Sequence, residues 1–219
     1  MKLMRNLMLA AVAVSFVTIA GCGGAPKGGS ASEDKSAIDQ LKGMPAELDA
    51  EVSKLMLPID SVDALIGQVG TLPAKLGISG GDLIGQIKAV MAGSPAPTAA
   101  GLKEGAQGEL DAFLASVKSF NDGIKNAPDN VAGLTAKCVS LTAKLPALAA
   151  QVTTEAGVTT ANPFASPEDK AKAAADKDAV AGIQTEVSAK ISETQGKITG
   201  IPAKAVEAGA KFAAALVGG

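Results

Sequence analysis

The chain has 219 residues, of which 47% are hydrophobic and 19% are charged, and its formal net charge is −2. It contains two Cys and five Phe but no His, Trp or Tyr. The absence of His excludes imidazole acid–base catalysis, His-ligated metals and His-oriented nucleophiles. Because these chemistries are excluded, we expect a protein that is not an enzyme. The length allows one domain or at most two small ones.

Nucleic-acid binding is not expected either. The only arginine, Arg5, lies in an N-terminal segment that we predict to be removed. The remaining chain therefore lacks a guanidinium group to read guanine, and the five Phe of the full chain are its only aromatic platforms for base stacking, one of which, Phe16, lies in the segment predicted to be removed.

The first 21 residues have the pattern of an export signal. Lys2 and Arg5 give a positively charged start, and Leu7 to Ala20 is an uncharged apolar run of 14 residues, too short to predict a membrane span. The run ends in Ile19-Ala20-Gly21-Cys22. This ending resembles the lipobox of bacterial lipoproteins, in which an aliphatic residue and two small residues precede a cysteine that is lipidated.

The resemblance implies that residues 1–21 are a lipoprotein signal peptide and that Cys22 becomes the acylated N-terminus, with fatty acids such as palmitate. In Gram-negative lipoproteins an Asp after the cysteine favours the inner membrane, whereas Gly23 and Gly24 follow Cys22 here. The resemblance therefore implies a protein of the cell envelope, in the outer membrane if the source is Gram-negative, facing the periplasm or the surface. An ordinary secretory signal peptide is the alternative.

Residues 22–32 comprise Cys22 and a predicted flexible tether, Gly23 to Ser32, rich in Gly and Ser. Ten such residues give an end-to-end distance of about 15–20 Å. Without residues 1–21 the chain has 18 Lys against 22 acidic residues, a net charge of −4. Attraction to anionic lipids is therefore not expected, and we expect the acyl chains to hold the protein at the membrane.

Residues 33–219 have apolar side chains at three- and four-residue steps almost throughout, without strand alternation. This pattern predicts a single all-α domain, an elongated bundle of about five or six amphipathic helices. The predicted apolar stripes are Ile38–Leu55, Val62–Val69, Leu83–Met91, Leu102–Ile124, Leu134–Val152 and Val180–Ile198. The fifth stripe has the 4-3-4-3-4 spacing of a coiled-coil seam and includes Cys138, which we expect to be a small buried hydrophobe.

Several residues predict where the helices begin, bend and end. The segments starting at Ser79 and Ser166 have the pattern of helix N-caps, and residues 126–130 have the pattern of a turn. A proline followed by alanine interrupts an apolar stripe four times, at Pro45, Pro73, Pro146 and Pro202. These prolines predict kinks or helix restarts. A functional hinge is the alternative.

The segment from Leu57 to Leu102 has only five charged residues. We interpret it as a buried central hairpin, with a hairpin that contacts membrane or lipid as the alternative, because both bury a broad apolar face.

Three features suggest an enzyme or a metal site, but each has a simpler interpretation. Ser32 and Lys35 match an S-x-x-K motif, yet no companion motif follows, and Ser32 is interpreted as an N-cap. The carboxylates at Asp60 and Asp63, and those at Glu168 and Asp169, are too sparse for a calcium loop. We therefore predict no catalytic, cofactor-binding or metal-binding residue.

The leading functional hypothesis is a lipid-anchored envelope protein with a structural or protein-interaction role. Its expected partners are the membrane, through the lipid on Cys22, and an envelope protein whose identity the sequence does not give. The alternative is a carrier or sensor of apolar ligands, in which an Ala- and Gly-rich bundle accepts an acyl chain. A cavity along the bundle axis favours the carrier, and a solid core with an exposed apolar groove favours the interaction role.

Overall fold

The structure, a computed structural model, describes residues 36–218, of which 84% are helical and none lies in a β-strand. This confirms the all-α prediction. The predicted signal peptide, Cys22 and the tether lie outside the described residues. The helices are α1 (Ala37–Asp60), α2 (Val62–Leu76), α3 (Gly80–Met91), α4 (Gln107–Ala161), α5 (Pro167–Thr199) and α6 (Ile201–Ala215).

These six helical segments form four continuous stretches. Ser61 alone separates α1 from α2, and Gly200 alone separates α5 from α6. We call residues 37–76 rod 1 and residues 167–215 rod 3. The central rod is α4, whose 55 residues correspond to about 80 Å of helix at 1.5 Å per residue.

Rods 1 and 3 run in the same direction, antiparallel to α4. Ion pairs between α1 and α5 join Lys42 to Asp176 (3.5 Å) and Asp49 to Lys190 (2.7 Å). The later residue of α1 pairs with the later residue of α5, so the two helices run in the same direction. Later residues of rod 1 contact progressively earlier residues of α4, down to Lys75, which pairs with Glu109. The result is a three-rod bundle, and α3 is added at one end.

Two halves of the described unit differ in construction. The proximal half consists of α1, α5 and residues 128–161 of α4, and it contains the first described residue, Ser36. The distal half consists of α2, α3, α6 and residues 107–127 of α4.

The proximal half is built on the predicted coiled-coil seam. The seam residues of α4 are buried except Leu148, which is half-buried; the buried ones are Leu134, Cys138, Leu141, Leu145 and Val152. Leu41 and Leu48 of α1, together with Val187 and Ile191 of α5, belong to the same core. The predicted burial of Cys138 is confirmed, since none of its surface is exposed.

The three buried aromatic residues of the described chain, Phe113, Phe120 and Phe212, all lie in the distal core. The rings of Phe120 and Phe212 meet edge to face, with centroids 5.1 Å apart, and join α4 to α6. Helix α3 buries Leu83 and Ile87 and contacts only α2 and α4 among the described helices. The segment from Leu57 to Leu102 therefore contains a hairpin at the edge of the bundle, and the predicted central position is wrong.

The predicted N-caps at Ser79 and Ser166 are confirmed. The Oγ of Ser79 accepts a hydrogen bond from the backbone N–H of Asp82 (3.0 Å), and Ser166 accepts one from Asp169 (3.0 Å). Each satisfies an otherwise unpaired N–H of the first turn. Helix α1 begins in the same way at Ser36, which is its cap. Ser32, which is predicted as an N-cap, lies outside the described residues.

Most prolines of the described chain lie inside helices. Pro45, Pro73 and Pro146 are interior, whereas Pro202 lies in the first turn of α6, where its missing N–H costs nothing. The turn predicted at residues 126–130 is wrong, because α4 continues through it. The packing of rods 1 and 3 along α4 offsets the free-energy cost of the backbone hydrogen bond that Pro128 removes.

Rod 1 approaches α4 most closely where Pro58 meets Gly123. A Cβ at Gly123 would lie 2.6 Å from the Cβ of Pro58, well inside normal contact. The missing side chain therefore allows the proline ring to pack directly on the backbone of α4.

Candidate functional site

The predicted functional residue, Cys22, lies outside the described residues, so the site is approached from the point where its chain enters the bundle. That point is Ser36, which caps α1 in the proximal half. The ends of three helices meet there, because α1 and α5 begin where α4 finishes. We call this region the proximal end.

An open cleft of about 470 Å³ lies at the proximal end. It is bordered by residues of α1, α4, the α4–α5 turn and α5: Ser36, Ile38, Val152, Glu155, Ala156, Thr159, Asn162, Ala165, Asp169, Lys172, Ala173 and Asp176. Acidic, basic, hydroxyl and apolar groups alternate around it, so the cleft presents no single chemistry that would select one ligand class.

The α4–α5 turn beside this cleft exposes an aromatic side chain. The backbone N–H of Phe164 donates to Oδ1 of Asn162 (2.9 Å), and that of Ala165 donates to the carbonyl of Asn162 (3.3 Å). Ser166 then caps α5. These hydrogen bonds define the turn, and the side chain of Phe164 is 94% exposed. Sequence analysis did not identify Phe164, although the preceding Asn162-Pro163 pair is typical of a turn.

The interior of the proximal half is filled with side chains. Leu41, Leu48, Cys138 and Val187 have no exposed surface. Four other clefts, of about 340–470 Å³, are also open and are bordered by polar or charged residues such as Lys54, Lys137 and Lys144. Their volumes suit small ligands, but a site for an acyl chain needs a mostly apolar, enclosed lining.

Cys138 is a buried thiol. Burial raises its pKa, because the thiolate would lose hydration, and the neighbouring Lys137 opposes this effect. A thiol with a raised pKa and no exposed surface is poorly nucleophilic at neutral pH. The arrangement therefore suits packing.

Of the four carboxylates considered as cation ligands, two have structural partners, and Asp60 and Glu168 are exposed at the end of α1 and in the first turn of α5. Asp63 of α2 pairs with Lys211 of α6, and Asp169 belongs to the cap of α5. Within residues 36–218, no group of three or more His, Cys, Asp or Glu side chains comes together as a metal site would require. The S-x-x-K motif at Ser32 and Lys35 lies outside these residues.

One charged cluster at the surface joins α1 to α5. Lys190 contacts Asp49 (2.7 Å) and Glu193 (3.2 Å), and Glu193 also contacts Lys197 (2.5 Å). Hydrogen bonds to Asp49 and then Glu193 raise the pKa of Lys190, while hydrogen bonds from Lys197 and then Lys190 lower the pKa of Glu193. This cluster aligns the helices at the surface.

Rod 1 has the length and composition that a membrane-crossing helix would need, as judged from its residues alone. Core helices of soluble bundles meet the same criteria. In this structure Leu48 and Leu65 of rod 1 belong to the core, and 17% of the most apolar 18-residue window of the rod is buried.

Comparison with known proteins adds no relative: no family model matches the chain, and no significant similarity to a curated protein or a solved structure is found.

Proposed function

We propose that the protein is a lipid-anchored envelope protein with a non-enzymatic structural or protein-interaction role. The observation that carries this proposal is the filled seam between α1, α4 and α5, in which Leu48, Cys138 and Val187 are fully buried. A carrier needs internal volume, whereas a scaffold or adaptor needs rigid outer faces. The packing favours the second class.

The anchor in this proposal is Cys22. Its support is the lipobox-like sequence Ile19-Ala20-Gly21-Cys22 after a charged start and an apolar run. Two or more acyl chains hold a protein stably at a membrane, whereas one chain holds it reversibly. Gly23 and Gly24 favour the outer membrane in a Gram-negative cell.

The proposal includes an elongated bundle of five or six helices that bend at their prolines. The length of α4 and the interior positions of Pro45, Pro128 and Pro146 support this shape. Each interior proline removes one backbone hydrogen bond and favours a bend. An elongated bundle would present long polar faces away from its anchor.

Fractionation of cells that express the full chain tests the anchor. The two cysteines provide a matched pair of variants, Cys22→Ala and Cys138→Ala. We expect wild type and Cys138→Ala to be in the membrane fraction and to incorporate labelled palmitate, and Cys22→Ala to do neither. Label on Cys22→Ala, or membrane retention of that variant, would contradict the proposal.

Analysis of the purified acylated protein for bound molecules tests the role. We expect envelope proteins to be retained in crosslinked samples and apolar molecules other than the chains on Cys22 to be well below one per protein. One bound fatty acid or lipid per chain would instead support the alternative, a carrier that opens at its prolines.

A further inference from the structure

Phe164 is the most exposed of the large hydrophobic residues in the described chain, at 94%. Its exposure is not that of a fraying terminus, because hydrogen bonds to Asn162 and the cap at Ser166 fix the turn on both sides. Val158, in the last turn of α4, is also mostly exposed. Single exposed apolar residues are common on protein surfaces. Phe164 differs from them because a fixed turn holds an aromatic ring almost fully in water.

The entry of the N-terminal chain is at the same end of the bundle. Ser36 and Ile38 of α1 border the same cleft as Asn162 and Ala165 of the turn. The chain that leads to Cys22 therefore joins the described unit beside Phe164.

Chain length restricts which exposed residues can reach the membrane. Thirteen residues separate Cys22 from Ser36, and they span at most about 45 Å when fully extended. Gln107, at the other end of α4, is 45 residues from Val152 in the cleft, which corresponds to about 68 Å of helix. A membrane that holds Cys22 is thus within reach of Phe164. The exposed apolar residues of the distal half include Val206 and Val217. Val217 follows Phe212, which packs on Phe120, and Phe120 is about 48 Å of helix from Val152.

We propose that the α4–α5 turn inserts Phe164 into the boundary between lipid headgroups and acyl chains, so that the bundle stands end-on on the membrane that anchors Cys22. This inference rests on the proposed lipid anchor. The acyl chains supply the affinity, and Phe164 fixes the orientation by burying its ring in lipid. The distal half then points away from the membrane and is free to bind a partner.

The charges near the turn indicate how this contact forms. The first turns of α5 have two acidic residues, Glu168 and Asp169, and two basic residues, Lys170 and Lys172. Glu155 and Asp176 border the same cleft, so the proximal end has no excess of positive charge and attraction to anionic lipids contributes little. The contact should therefore depend on the apolar ring and be nearly independent of salt and of the anionic lipid content.

Fluorescence of single tryptophans tests the orientation, because the chain has no natural Trp. Phe164→Trp and the matched control Val217→Trp are introduced into the acylated protein. Each is reconstituted into phosphatidylethanolamine–phosphatidylglycerol vesicles, and vesicle flotation is measured on the same samples. Val217 is 84% exposed in the distal half, so both substitutions are at the surface. Circular dichroism verifies that both variants fold.

We expect the emission of Phe164→Trp to shift to shorter wavelength in vesicles, with several-fold weaker quenching by aqueous iodide and strong quenching by lipids with brominated acyl chains. Val217→Trp should remain water-like. Equal iodide access at the two positions, or an equal shift at both, would overturn the end-on orientation. A shift that grows with protein concentration without vesicles would overturn it in favour of a second copy.

Flotation distinguishes the failure of this inference from the failure of the proposed lipid anchor. Protein that floats while Phe164→Trp stays in water keeps the anchor and overturns the insertion alone. Protein that does not float overturns both proposals.

Discussion

The proximal and distal halves of the described bundle reach a packed core by different means. The proximal half uses a long seam of aliphatic and small side chains, and ion pairs such as Asp49–Lys190 join its helices at the surface. The distal half uses short helices, the Phe120–Phe212 pair and a long connection between α3 and α4. Every described glycine with a positive φ lies in residues 77–105 of the distal half.

This difference shows that periodic packing and individual contacts are separate ways to define a fold. In the proximal half, many equivalent seam positions each contribute part of the buried apolar surface. In the distal half, single residues hold specific places: the ammonium of Lys103 donates to the carbonyls of Ala74 (3.0 Å) and Lys75 (3.1 Å) at the end of α2. Asn121 and Lys125 similarly donate to the carbonyl of Met91 at the end of α3.

A buried charge in the proximal seam should have the largest effect. Leu48 has no exposed surface, so Leu48→Asp would bury an unpaired carboxylate at a cost of several kcal/mol. That cost is comparable to the entire stability of a typical domain, about 5–15 kcal/mol. We expect the variant to lose its helical circular dichroism signal.

The matched control is Leu57→Asp in the same helix, where Leu57 is 65% exposed. It should fold and melt nearly as wild type does. Equal loss of structure in both variants would show that α1 does not pack as described.

Truncation of an aromatic residue in the distal core should lower the free energy of unfolding more than truncation of an aliphatic residue in the proximal seam. Phe212→Ala in the distal core should cost about 3–5 kcal/mol, and Val187→Ala in the proximal seam about 2 kcal/mol, because the larger side chain leaves the larger cavity. Both residues have no exposed surface. Urea denaturation measures the difference, and a larger cost for Val187→Ala would reverse the proposed contrast.

The contact between Pro58 and Gly123 marks the junction of the halves. Gly123→Ala should destabilise the protein by about 1–3 kcal/mol, because the added methyl group overlaps the proline ring. Gly133→Ala in the same helix meets nothing within 4 Å and should stabilise it by about 0.5–1 kcal/mol. The opposite signs in thermal melting are the expected result; a gain in both variants would show that rod 1 does not approach α4 at Gly123.

The smallest expected effect is the pH dependence of the Lys190 cluster. The pKa of Glu193 is lowered in the folded state, so its stabilisation is complete above its unfolded-state pKa and is lost as the pH falls through the folded-state value. The pKa of Lys190 is raised, so its stabilisation is present below its unfolded-state pKa and is lost as the pH rises through the folded-state value.

Lys190→Met should therefore weaken the loss of stability at the acidic end and remove this contribution at the alkaline end. Denaturation midpoints measured across pH detect the change. An unchanged profile would mean that the ion pairs of Lys190 contribute nothing to the free energy of unfolding.

The seam and the caps could be predicted from the sequence, because they depend on local spacing. Leu134, Cys138 and Leu145 face the core as their steps of three and four require. The caps at Ser79 and Ser166 need only a residue three positions later.

The distal connection could not be predicted in this way. Leu102 and Ala106 continue the apolar stripe, yet α4 begins at Gln107, because Gly101 and Gly105 have positive φ and the N–H of Lys103 donates to the carbonyl of Leu76. That hydrogen bond joins residues 27 positions apart in sequence, which periodicity does not detect. Pro128 likewise fits a turn locally, but packing along both sides of α4 keeps it helical.

The candidate site divides in the same manner. Cys22 could be identified from the sequence because the lipobox pattern is local. Phe164 could not, because its position beside the entry of the N-terminal chain depends on three helix ends lying together. Such a meeting depends on the order of the rods in space.

The most direct test of the account is the intact mass of protein extracted from membranes. We predict a chain that begins at Cys22, with diacylglycerol and an amide-linked acyl chain on that residue and an unmodified Cys138. An unmodified Cys22 in membrane-extracted protein, or a chain that retains residues 1–21, would contradict it.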